Sequence, residues 1–199
     1  MAIKLGITGG IGSGKSVVAR LLETMGVPVY ISDLETKRLM HTDASIRHGL
    51  TELLGEEVYA DGRLNKPMLA SYLFASQEQA ARVNAIVHPR VKDDFRRWTE
   101  QMSAEHSVVG MESAILLEAG FQDEVDCIIA VSAPLEVRIN RAVERDRSSR
   151  EQIEQRIRSQ MDDEEKSRRA DVVILNDGVV PLIPQVQDLL MRLHRTVGR

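Results

Sequence analysis

The stretch KLGITGGIGSGKSVVARLL, Lys4 to Leu22, decides how the rest of the chain is read. Gly9, Gly14, Lys15 and Ser16 fit the spacing GxxxxGK followed by Ser or Thr, the pattern of a loop that holds a phosphate chain. Ahead of it, Ile3, Leu5 and Ile7 alternate as a short strand. Behind it, Val17, Val18, Leu21 and Leu22 recur at helical spacing. Strand, loop and helix therefore fall in the order such a loop requires. Residues without a Cβ let the backbone curl around phosphate oxygens, so that successive N–H groups and the positive end of the new helix meet the anion. Lys15 is placed to reach the β- and γ-phosphates and the Ser16 hydroxyl to ligate Mg²⁺.

Working outward, short apolar runs rich in β-branched residues recur between helical stretches: IKLGIT, VPVYIS, SVVGME, CIIAVS and DVVILN. They are nearly continuous rather than alternating, as strands covered on both faces are. The fold class expected is α/β, a three-layer arrangement of the phosphate-loop type, with a parallel sheet of about five strands and helices on both faces. From Leu34 to Ser107 no strand run occurs, and helical patterns take over. Leu69, Leu73 and Phe74 share one face, as do Val83, Ile86 and Val87, and HPRVKDDFRRWTEQM opens on a proline suited to a first helical turn. The expected division is a nucleotide-binding core (1–33, 107–133 and 171–199), a helical acceptor-binding insertion (34–106) and a helical lid (134–170). The last helix, with Leu182, Ile183, Val186, Leu189, Leu190 and Leu193 at amphipathic spacing, is expected to pack on the sheet.

The 199 residues suffice for one α/β domain with an insertion, not for two large domains. A net charge of −4 argues against salt-dependent binding to nucleic acid or an anionic membrane, so an anionic ligand must meet a local cationic site. Cys127 is the only cysteine, which excludes a disulfide framework, and VDCIIAVS places it as a small core residue on a strand. No apolar run approaches bilayer length and the N-terminus leads straight into the loop, so a cytoplasmic location is expected.

In open parallel sheets ligands sit beyond the carboxyl ends of the strands. The second run ends at Asp33, a carboxylate placed to orient a hydroxyl nucleophile and take its proton, or equally to cap a helix starting at Leu34. The third run offers Glu112 at its end and Glu118 beyond, as outer magnesium partners or as solvated carboxylates. After the fourth, Arg138, Arg141 and Arg145 lie at i, i+3 and i+7 on one helix face, with Arg156 and Gln160 further on. Such arginines on a mobile helical pair neutralise phosphoryl charge, though acidic neighbours also permit a solvated, ion-paired helix. The fifth run ends at Asn176 before Gly178, able to read an adenine edge or to make a turn.

Together GITGGIGSGKS, the Asp33 strand end, NAIVHPRV, ESAILLEAGF, RINRAVERDRSSREQIEQRIRSQ and ADVVILNDG make a chain that resembles the dephospho-CoA kinases over nearly its whole length. The resemblance implies ATP- and Mg²⁺-dependent phosphorylation of the ribose 3′-hydroxyl of dephospho-CoA. It implies ATP phosphates on Ile11, Gly12, Ser13, Gly14, Lys15 and Ser16, with Thr8 at the loop entrance and Gly9 and Gly10 also binding the nucleotide. Lys15 would stabilise transferred charge, Ser16 would hold magnesium and Asp33 would be the base. Arg141 and Arg145 would be lid arginines and Asn176 would lie near the adenine. His88 would fall in the acceptor region, either as a helix start before Pro89 or as a ligand contact. The chain departs from its look-alikes where Ile31 and Ser32 precede Asp33 in place of Asp-Ala, and at Ala114 to Glu118. Another small-molecule kinase is the rival enzyme, and a GTPase switch the rival class. The switch would need an Asn-Lys-x-Asp segment that this sequence lacks.

Overall fold

The computed structural model describes residues 2–197. Five strands form one sheet in the order β2-β3-β1-β4-β5: β1 (Ile3–Thr8), β2 (Val29–Ile31), β3 (Val108–Glu112), β4 (Cys127–Ser132) and β5 (Val172–Leu175). β1 is central, pairing in parallel with β3 and β4, and β4 pairs in parallel with β5. Leu5, Ile7, Val109, Met111, Ile129 and Val131 are buried, which is the two-sided cover that their unbroken apolar runs require. In register, Ile7 faces Glu112 and Thr8 faces Ala130, so Thr8, Glu112 and Ser132 mark the carboxyl edge of the three middle strands. Cys127 stands at the start of β4 and is half-buried rather than a full core residue. Burial, with Asp171 and Asp126 beside it, pushes its thiol up.

The chain divides into two compact units, Met1–Tyr30 with Trp98–Arg199, and Ile31–Arg97. In the first, α1 (Lys15–Thr24) buries Val18, Ala19 and Leu22 while Val17 stays exposed. α6 (Leu135–Asp146), α7 (Arg150–Arg158) and α8 (Asp163–Arg169) follow β4. Ser149 and Gln152 close a capping box at the start of α7, and Ile153 packs on Ile139 and Ala142 of α6. The last helix, α9 (Leu182–Val197), packs against α1 and β5. It buries Val186 and Leu189 but leaves Ile183 about half exposed, because only one flank of a helix at the edge of the sheet is covered.

The second unit is helical. α2 (Ser32–Thr42) and α3 (Ala44–Leu54) meet at Asp43, whose carboxylate accepts from the Ile46 N–H at 3.0 Å and caps α3. Arg90 binds the same carboxylate at 3.0 Å and holds the joint. α4 (Lys66–Ala75) precedes α5 (Gln77–Met102), the longest helix. Val83, Val87, Val91 and Phe95 form its buried stripe, four residues apart. Proline at the head of HPRV does not start a helix. The helix begins at Gln77, with the Ser76 hydroxyl accepting from the Gln79 N–H at 3.1 Å, and Pro89 lies inside it, about three turns in. The reading of His88 as a helix start is therefore corrected. Pro89 removes one donor from the ladder, which the apolar stripe on both sides of it offsets.

Candidate active site

At the end of β1 the chain leaves the sheet through Gly9 and returns as α1 at Lys15. Gly14, the residue before the helix, has φ 94°, a left-handed conformation that L side chains rarely adopt, and a Cβ there would strike the Asn176 amide. Its carbonyl accepts from the Val17 and Val18 N–H groups at 3.0 and 3.2 Å, which opens α1. The Ser13 N–H donates to the Gly10 carbonyl at 3.1 Å and closes the turn. The first turn of any α-helix presents N–H groups that its own carbonyls do not reach, and here they follow directly on the loop.

Three side chains grip the loop. Asn176 Nδ2 donates to the Ser13 carbonyl at 2.8 Å, Arg138 Nε donates to the Ile11 carbonyl at 3.0 Å, and Lys15 Nζ reaches the Gly10 carbonyl at 3.3 Å. The Ile11 side chain packs into the Ile139, Ala142 and Ile153 cluster between α6 and α7. Thr8 and Ser13 are fully buried. Ser16 lies exposed on the first turn of α1. Asn176 sits just past β5, its N–H on the Ser132 carbonyl at 2.7 Å, so its amide braces the loop.

The three arginines of α6 do not act as one face. Arg138 is buried, Arg141 donates to the Asn176 carbonyl at 2.8 Å, and Arg145 is exposed and pairs with Asp146. Spacing of i, i+3 and i+7 fixes a side of the helix, but depth falls off along it as α6 runs away from the loop. Burial draws the Arg138 guanidinium below its ordinary value, against the opposing pull of the Asp162 charge. Asp146 is held at about 2 by hydrogen bonds from Arg145 and then Arg156.

Asp33 is exposed in the first turn of α2, which starts at Ser32 with Ile31 at its cap position. The carboxylate is therefore not the helix cap, nor does the helix begin at Leu34. It lies where a negative charge is favoured by the helix dipole. His88 is half-buried on α5, and burial, with Lys92 nearby, lowers its pKa so that the ring is neutral at neutral pH. Glu112 is buried at the end of β3. Glu118 accepts from the Met161 N–H at 3.1 Å and from Lys166 Nζ at 2.9 Å, and Lys166, wholly buried, also donates to the Ala114 carbonyl at 2.6 Å. Neither the buried Lys166 nor the loop contact of Arg138 was foreseen. Lys166 stands in the charged run DDEEKSRR, which reads as a solvated face.

The family model for dephospho-CoA kinase matches residues 3–181. The chain belongs to the dephospho-CoA kinase family. It is 61% identical over 197 residues to the dephospho-CoA kinase of Bacteroides fragilis strain YCH46, covering 99% of this chain and 96% of that one. Among solved structures it is similar to TT1252 from Thermus thermophilus, with a TM-score of 0.82, 35% identity and 96% and 97% of the two chains covered. The dephospho-CoA kinase from Campylobacter jejuni shares the fold, with a TM-score of 0.72 at 18% identity and 98% and 99% covered. As a dephospho-CoA kinase family member the chain is a phosphotransferase that uses ATP. No helix among the described residues is long and apolar enough to cross a membrane.

Proposed function

We propose that the chain transfers the γ-phosphoryl group of ATP to the ribose 3′-hydroxyl of dephospho-CoA, giving CoA and ADP, in the cytoplasm. The observation that carries the reading is the loop from Gly9 to Ser16, gripped at the Gly10, Ile11 and Ser13 carbonyls, with Lys15 at the start of α1. Donors held in advance need no reorganisation when phosphate charge shifts in the transition state. Lys15, 3.3 Å from the Gly10 carbonyl, exchanges that weak contact for phosphate oxygens. Arg141, bonded to the Asn176 carbonyl, and Arg145, paired with the adjacent Asp146, supply further positive charge as the lid segment 134–170 closes. Asn176 braces the loop beside the nucleotide, near the adenine.

The donor set fits magnesium that arrives with the nucleotide. The Ser16 hydroxyl is a single oxygen ligand, and no group of three or more His, Cys, Asp or Glu among the described residues could hold an ion by itself. Mg²⁺ keeps waters and is shared with substrate phosphates, so one hydroxyl suffices, and when bound the ion would offset phosphate charge. Dephospho-CoA is bound by the helical segment 34–106, with His88 offering a neutral ring for a hydrogen bond. As the 3′-oxygen forms its bond to the γ-phosphorus and the bond to the ADP oxygen breaks, Asp33 accepts the hydroxyl proton.

The test is product analysis with MgATP and dephospho-CoA beside parallel tubes of adenosine and AMP. CoA formed only in the first tube is expected, abolished in Lys15→Ala. Asp33→Asn should keep nucleotide binding and lose at least about a hundredfold in turnover. Transfer to AMP or adenosine alone would overturn the acceptor, and parental turnover in Asp33→Asn would overturn its role.

A further inference from the structure

α8 carries two side chains of opposite charge one turn apart, Asp163 and Lys166, and each is tied to a partner on another segment. Lys166 is committed to Glu118 and the Ala114 carbonyl, on the segment after β3. Asp163 pairs with Arg138 of α6, whose side chain is only 6% exposed. Arg138 in turn grips the Ile11 carbonyl in the phosphate-binding loop. The pair lies directly on the loop backbone, for a Cβ added at Gly10 would strike both the Arg138 guanidinium and the Asp163 carboxylate, and one added at Gly12 would strike the Arg138 backbone. Larger residues at these two positions would expel the pair.

A buried guanidinium is tolerated only with a carboxylate and with its remaining donors satisfied. Arg138 has its carboxylate in Asp163 on one side and gives its Nε–H to the Ile11 carbonyl on the other, with Asp162 adding charge at longer range. Its neighbours on α6 have other tasks, since Arg141 serves the Asn176 carbonyl and Arg145 faces solvent. The Ile11 carbonyl belongs to the peptide whose N–H is that of Gly12. Fixing the carbonyl therefore fixes the direction of that N–H, one of the donors the loop offers to phosphate.

We propose that Arg138 is a positioning residue for phosphoryl transfer, held by Asp163 and acting through the Ile11–Gly12 peptide to set the phosphate-binding loop. The assignment rests on the reading of Gly9 to Ser16 as the ATP phosphate site. It makes α8 a determinant of nucleotide binding through the hold of Asp163 on Arg138.

The experiment compares Arg138→Met, Arg138→Lys, Asp163→Asn and the Arg138→Met/Asp163→Asn double variant. ATP and dephospho-CoA are varied separately, and ADP is titrated calorimetrically. Arg138→Met is expected to raise the KM for ATP and weaken ADP by about tenfold, the effect of one lost hydrogen bond from a charged donor, with the KM for dephospho-CoA unmoved. Asp163→Asn should do part of the same, Arg138→Lys should recover some of the loss, and the double variant should be no worse than Arg138→Met. An unchanged KM for ATP, a matching rise in both KM values, or losses that add in the double variant would overturn the assignment. Should Arg138→Met fail to fold, Asp163→Asn decides by the same two readouts. A parent chain that makes no CoA defeats the kinase reading alone, because the ADP titration still tests whether Arg138 sets the loop.

Discussion

Replacing Lys166 by Met keeps most of the apolar stem and removes the charge from a site with no solvent exposure. Two interactions are lost. The hydrogen bond to the Ala114 carbonyl, 2.6 Å long and given by a charged donor, is worth about 2 kcal/mol. The ion pair with Glu118 is worth less, about 1 kcal/mol, because that carboxylate is 24% exposed and keeps the Met161 N–H. The sum is about 3 kcal/mol. In a chain of 199 residues each kcal/mol moves Tm by about 2–4 °C, so the melt should fall by about 6–12 °C. Differential scanning calorimetry of the parent, Lys166→Met, Glu118→Gln and the double variant measures both the drop and the coupling. The double variant should lie closer to Lys166→Met than the sum of the single losses requires. A Tm for Lys166→Met within about 2 °C of the parent would refute the reasoning, since it would mean that α8 is not anchored through this lysine.

Gly14→Ala combines a left-handed residue with a side chain thrust onto the Asn176 amide. It should cost about 2–3 kcal/mol and raise the KM for ATP by at least about tenfold, read by thermal melt and steady-state kinetics. Asp146, held at about 2 against an ordinary 3.8, has a depressed folded-state pKa, so its stabilisation is complete above pH 3.8 and is lost as pH falls through 2. Acid titration of Asp146→Asn should therefore show a deficit of about 1 kcal/mol or less at neutral pH that closes across that window, small because the pairs are largely solvated. A deficit that persists unchanged at pH 2 would exclude the Arg145 and Arg156 pairs as its source.

The sheet was legible because parallel strands buried on both faces must be written as unbroken apolar runs, and the glycine loop because its geometry tolerates few residue types. Side-chain depth was not legible. Arg138 and Arg145 stand on one side of α6 by spacing, yet one lies under the loop and the other in water. Lys166 looks like its charged neighbours until α8 is docked. Pro89 and Asp33 were misplaced for a related reason: helix starts are set by the caps in hand, Ser76 for α5 and the end of β2 for α2, and residues favoured at a start also occur beyond it. Asn176 left two uses open in sequence, and the structure shows its amide spent on the Ser13 carbonyl.

The chain leaves the sheet-bearing unit after Tyr30 and rejoins it at Trp98, and these two rings meet edge to face with centroids 5.5 Å apart. The doorway through which the helical segment departs and returns is thus already shut by the host. A graft entering at such a point asks its host to close almost no loop, and closure entropy grows only slowly with the length inserted. The segment 31–97 can therefore be exchanged or lengthened while the ring pair, Tyr30 on β2 and Trp98 on α5, keeps the point of departure fastened to the point of return.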